Sequence, residues 1–195
     1  MRFAARRAAP LVALALLLAA GCGSSPPSHF YVLTADPVPP RAAAARAAAN
    51  TVALGRITVP GALDRPQIAR RKGGNEIVFS EEERWAGPLD DMLRRVLADD
   101  LAARLPAGVM LVESSARPPP GVTIALDVSR FDADESGAVT LTAHWAALGP
   151  NGAPLGAPRE STILEPGSGS GAAAVAATMS RAVAALAARI AAGLR

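Results

Sequence analysis

The chain has 195 residues, enough for one medium domain or a smaller one with attachments. Its formal net charge of +3 comes entirely from Arg2, Arg6 and Arg7. Without these three, the remaining Lys+Arg equal the 17 Asp+Glu, so the charge balance gives no sign of a basic nucleic-acid-binding face. A single Cys rules out an intramolecular disulfide and a Cys-based zinc site, and two His, at positions 29 and 144, leave little for a His-rich metal centre.

Residues 1–21 read as a secretory leader. Arginines come first, Leu11–Ala20 is wholly apolar, and the small residues Ala19, Ala20 and Gly21 precede Cys22. Ten apolar residues rise only about 15 Å as a helix, too short for a hydrocarbon core of about 30 Å. The order small–small–Gly–Cys resembles the lipobox of bacterial lipoproteins, with Ala19 where Leu is commonest. That resemblance implies cleavage before Cys22 and acylation of its sulfur, a stable anchor once two or three chains are attached. Gly23 rather than Asp follows the Cys. By the sorting rule of such lipoproteins this implies the outer membrane, with the soluble part facing the periplasm.

Residues 22–28 form a short tether containing Pro26-Pro27, and 29–195 a single domain. His29–Thr34 is predicted as a strand, and Asp36–Asn50, Pro-rich and then Ala-rich, as a surface connection. Thr51–Val59 is a second strand. Gln67–Arg71 and Glu76–Ser80 flank Lys72-Gly73-Gly74-Asn75 as a hairpin, placed at a sheet edge because Pro66 does not suit a central strand.

Pro88–Leu105 carries Leu89, Met92, Leu93, Val96, Leu97, Leu101 and Leu105 at helical spacing. Asp90–Arg94, Asp91–Arg95 and Asp100–Arg104 are acid-before-base pairs four apart on the same helix. Val109–Glu113, Val122–Val128, Val139–Trp145 and Arg159–Glu165 are further strands. Asp132–Gly137 joins the second and third of these as an acidic turn. Ala172–Leu194 is a second helix, with Val175, Met179, Val183, Leu186, Ile190 and Leu194 along one side. Together these elements predict an α/β domain, a mixed sheet of about five to six strands packed with two main helices.

Signals for chemistry mostly dissolve. The run from Asp132 to Gly137 imitates the start of a calcium loop, but its twelfth position is Ala143, inside a predicted strand. Gly167–Gly171 precedes a helix without the Lys of a phosphate loop, and reads as a flexible lead-in with a Ser cap. The Asp pairs 90/91 and 99/100 diverge on a helix beside Arg partners and read as a solvated face, and Glu81–Glu83 as a solubilising run. His144 falls on the outward side of its strand, and no Gly-x-Ser-x-Gly elbow accompanies it. No catalytic residue, cofactor or metal ligand is assigned, and the chain reads as a non-enzyme.

The order of segments resembles the periplasmic auxiliary lipoproteins of ABC-type transport systems, of the PqiC/YmbA kind. The likeness is carried by Phe30-Tyr31-Val32-Leu33, Ile57-Thr58-Val59-Pro60 and Leu63-Asp64-Arg65-Pro66-Gln67-Ile68. Arg84-Trp85-Ala86-Gly87-Pro88-Leu89, Arg95–Leu101, Arg130-Phe131-Asp132, Leu141–Trp145 and Met179–Ala182 continue it. Gly87 stands where a polar residue is expected, and the Ala-rich stretch at 42–49 is long. The resemblance implies a non-enzymatic, outer-membrane-anchored partner of an MCE-domain protein in a system moving phospholipid or other hydrophobic molecules between membranes. An accessory in lipopolysaccharide or barrel assembly would share its anchor and fold. Partners are then the MCE protein, the membrane through the lipid on Cys22, and further copies of the chain, with no nucleic acid. Leu63, Asp64, Arg65, Ile68 and Trp85 are candidate interface residues, being large apolar groups and charges in loop or edge contexts.

Overall fold

The computed structural model describes residues 26–36, 50–112, 114–116 and 120–194. Cys22, the leader and all but the ends of the Asp36–Asn50 connection lie outside the described residues, as does Glu113. Among the described residues, eight strands and two helices follow in chain order: β1 (His29–Tyr31), β2 (Asn50–Thr58), β3 (Gln67–Lys72), β4 (Glu76–Trp85), α1 (Leu89–Arg104), β5 (Val109–Leu111), β6 (Val122–Ala133), β7 (Val139–Leu148), β8 (Arg159–Glu165) and α2 (Ala172–Gly193). The mixed sheet is the one expected, but it has eight strands rather than five to six: every segment read as a strand, the three-residue β1 and β5 included, pairs into the one sheet.

β6 is the spine of the sheet. Along one side it pairs antiparallel with β7, from Thr123↔Leu148 to Ala133↔Val139, and β7 carries β8 beyond it. The other side is shared in parallel by two strands in succession. β2 takes the first half, from Val52↔Val122 to Thr58↔Asp127, and β3 meets the far end at Arg70↔Ala133. β5 extends the β2 branch, while β4 and then β1 extend the β3 branch. The expected hairpin is therefore β3–β4, turning at Gly73 with φ +58°, but β3 lies inside the sheet. Pro66 is accommodated because it sits before the strand, where its carbonyl accepts the Trp85 N–H at 2.5 Å.

Both helices cover one face of the sheet, α1 over β2 and β5, α2 over β6, β7, β8 and β1, and they pack on each other. Leu93, Leu97 and Leu101 of α1 and Val183, Leu186 and Ile190 of α2 are fully buried against Ile124, Phe131 and Leu141. α2 is the one described helix long and apolar enough to cross a bilayer, yet it is the core helix, and its alanines let the sheet and α1 approach closely. The opposite face of the sheet is polar, with Asp127, Ser129, His144 and Thr162 exposed.

The Gly167–Gly171 segment is not a flexible lead-in with a Ser cap. The N-cap of α2 is Gly171, with no side-chain cap. Its glycines press backbone to backbone on the β6–β7 turn: a Cβ on Gly137 would lie 2.0 Å from the Gly169 carbonyl oxygen, and one on Gly167 2.6 Å from that of Ser136. Gly137 also has φ +84°, whereas Gly152, at φ +77°, has open space around it. Gly152→Ala should therefore cost only the left-handed conformation, about 1–2 kcal/mol. Gly137→Ala should cost clearly more, since the loop before α2 must also be displaced. Denaturant midpoints at constant slope measure both, and equal losses would contradict the close-packed turn.

Candidate docking surface and its charge clusters

The turn between β2 and β3 is built by Leu63 N–H to Pro60 O (2.8 Å) and Asp64 N–H to Gly61 O (3.3 Å). It drives Leu63 inward, where it joins Ile68 and Trp85 in the hydrophobic core. All three read in the sequence as interface residues in loop or edge contexts, and Leu63 does lie in a loop, but the side chains of all three are buried. Ile68 is fully buried because β3 is an interior strand, and Trp85, 3% exposed, is held by the β1–β4 pairing Tyr31↔Trp85. Asp64 and Arg65 remain exposed, with the Arg65 guanidinium 5.0 Å from the Phe79 ring centroid.

Two carboxylates read as solvated in the sequence are buried. Asp132 is not in the turn but in β6, 3% exposed. Arg71 donates to both its oxygens (3.1 and 2.9 Å), and Arg130 donates to them as well (3.0–3.2 Å). Burial pushes its pKa up, but the hydrogen bonds and charges of the two guanidinium groups outweigh this and hold it below the ordinary value. The turn itself begins at Asp134, whose Oδ1 accepts N–H bonds from Ser136 and Ala138 (2.9 and 3.0 Å).

Asp100, on α1, is 1% exposed. Its Oδ1 accepts Arg104 Nη1–H (2.9 Å) and the backbone N–H of Asp36 (3.0 Å), while Oδ2 has no partner among the described residues. Arg104 also donates to Asp36 Oδ2 (2.7 Å), and the Thr34 N–H donates to Ser180 Oγ of α2 (3.1 Å). Residues 32–36, just after β1, are thus fastened across both helices. Burial raises the Asp100 pKa above its ordinary value, opposed by the Asp36 amide and Arg104. Of the three acid–base pairs expected along this helix, only Asp100–Arg104 forms among the described residues.

His144 is exposed as expected, its Nδ1 3.8 Å from Glu160. Arg159 donates to the Gly193 carbonyl at the end of α2 (3.1 Å) and lies 5.1 Å from the Trp145 ring centroid. Glu83 pairs with Arg70 (3.0 Å) and Glu81 with Arg84 (3.1 Å), so the acidic run is partly spent on ion pairs. No group of three or more His, Cys, Asp or Glu among the described residues is arranged to hold a metal ion.

Residues 31–191 match the family model described as the ABC-type transport auxiliary lipoprotein component. No curated protein matches the chain. Among solved structures, a crystal structure of an uncharacterized protein is similar over 87% of this chain and all of its own length, at 19% identity and a TM-score of 0.72. A protein from Xanthomonas campestris is similar over 84% of this chain and 93% of its own, at 22% identity and a TM-score of 0.66. These two likenesses establish the fold.

The two carboxylates should give opposite pH signatures. The Asp132 pKa is depressed, so its contribution to stability is present above the unfolded value near 3.8 and lost as pH falls through the lower folded value. The deficit of Asp132→Asn against the native chain should then be constant near neutrality and shrink below about pH 4. The Asp100 pKa is raised, so its neutral form favours folding below 3.8, and that contribution is lost as pH rises through the folded value. Asp100→Asn should therefore improve relative to the native chain as pH rises from about 4. Urea unfolding from pH 3 to pH 7 measures both, and parallel curves would contradict the assignment.

Proposed function

Because the chain belongs to the ABC-type transport auxiliary lipoproteins, we propose that it is acylated on Cys22, held on the periplasmic face of the outer membrane, and serves as a non-enzymatic adaptor where the MCE assembly of its transporter ends. The observation that carries this reading is the position of the sole cysteine. It follows an apolar leader with small residues and lies a short tether ahead of the family-matched segment. Hydrocarbon on that sulfur moors the body, and mooring raises the effective concentration of any partner that reaches the same surface.

A moored adaptor has to resist being pulled away from its anchor. The bonds from Thr34 and Asp36 to the two helices, and the parallel pairing of β1 with β4, support that role, since load entering at β1 passes into the packed core. The cargo is phospholipid or another hydrophobic molecule carried by the transporter. For the partner-facing surface we propose Asp64 and Arg65. Leu63, Ile68 and Trp85 act beneath them as packing.

The test uses crosslinking in envelopes together with mass spectrometry of the mature chain. The N-terminal peptide beginning at Cys22 should carry fatty acyl groups, and crosslinks should join the 60–66 turn to an MCE-domain protein. Asp64→Arg with Arg65→Glu should abolish those crosslinks and leave folding and acylation unchanged. An unmodified Cys22 thiol would contradict the anchor. Undiminished crosslinks in the charge-reversed chain would contradict the docking residues.

A further inference from the structure

β1 and the two residues after it alternate sharply. Tyr31 and Leu33 turn into the core, while Phe30 and Val32 point outward, 65% and 48% exposed. Among the described residues, the other exposed large apolar side chains stand apart from these: Val78 on β4, Met110 on β5, Leu155 in the β7–β8 loop and Leu164 on β8. Val32 also forms one wall of a hollow of about 250 Å³, with Ala86, Gly87, Pro88 and Met92 as the rest of its apolar lining. The rim of that hollow is charged, with Asp91 and Arg95 both exposed.

Four residues apart on α1, Asp91 and Arg95 share a helix face, yet neither forms an ion pair among the described residues. An apolar wall with one unpaired cation and one unpaired anion at its mouth matches a zwitterionic aminophospholipid: phosphate toward Arg95, ammonium toward Asp91, glycerol and upper acyl carbons against Val32 and Pro88. Arg84, which neighbours Phe30 by register, is neutralised by Glu81 and adds little net charge to this face.

Reach favours the same occupant. Cys22 precedes His29 by seven residues, which bridge at most about 25 Å when fully extended. If Cys22 sits at the bilayer surface, β1 is the first element of the folded body to meet it. Resting on the acylation proposed above, we infer that the hollow beside Val32 takes a phosphatidylethanolamine headgroup of the supporting leaflet, with Phe30 inserted beside it at the interface. The domain is then oriented on the membrane as well as moored to it.

The experiment places Phe30→Trp in the intact, acylated mature chain. This chain is bound to vesicles of phosphatidylethanolamine and phosphatidylglycerol, the former brominated near the glycerol end of its acyl chains. The native Trp85 and Trp145 are buried and supply a constant background. The expected result is a loss of emission from the introduced indole relative to unbrominated vesicles. Adding Val32→Asp and Arg95→Glu should abolish that loss while the acyl groups keep the chain on the vesicles. Bromination of the phosphatidylglycerol instead should quench less. Absence of quenching in a chain shown by mass to be acylated would overturn the headgroup site and leave the anchor standing, as would quenching indifferent to the two added substitutions. A chain found without acyl groups overturns both.

Discussion

A buried carboxylate that fixes the segment following the first strand is the constraint on which the rest depends. Asp100 sits on α1 with essentially no solvent, and it accepts at once from Arg104 and from the Asp36 amide. Burying a charge is costly unless it is paired and hydrogen-bonded, and Asp100 is only partly compensated, with one oxygen unpartnered among the described residues. The raised pKa has the same cause. The arrangement supplies a specific attachment: Asp36 is held on α1 by Asp100 and Arg104, with Thr34 on Ser180 of α2 as the second point. This segment continues directly from β1, so it adds a second hold on the N-terminal end of the folded body to the one that the β1–β4 pairing supplies.

The sheet follows a related logic. β6 is long enough to hold two parallel neighbours in succession, and the loop containing Pro60 and Pro66 separates them, because neither proline could donate within a central ladder. The far end of β6 carries Arg130 and Asp132 beside Thr142 and Thr140 on the face away from the helices. There Arg71 closes over the carboxylate, so β3, the strand of its branch next to β6, is tied to β6 by a charge network as well as by its single backbone register point.

Much of this was legible in the sequence, and the failures have identifiable causes. Periodicity placed both helices to within a residue or two at each end, because each buries a broad apolar stripe. The strands beginning at Val122 and Val139 alternate cleanly and were equally plain. Asp132 was misplaced in a turn because alternation stops at Val128. A register shift between Val128 and Arg130 reverses which side chains face the core, so Phe131 and Ala133 take over from Ile124, Leu126 and Val128. Asp100 read as solvated because its burial depends on residues 32–36 crossing the helix, a long-range contact invisible to local pattern. Trp85, Ile68 and Leu63 read as interface residues for the same reason: the strands on either side of them are paired by distant parts of the chain. Asp64 and Arg65, the charged members of that set, are exposed.

The stiffness of the segment that follows β1 is what the account most needs, and native-state hydrogen exchange of individual amides measures it directly. The Thr34 and Asp36 amides should exchange only through openings as costly as those that release the core of α2, and Asp100→Ala should speed both selectively. Exchange of these two amides in the native chain at the rate of an exposed loop, such as that around Gly152, would contradict it.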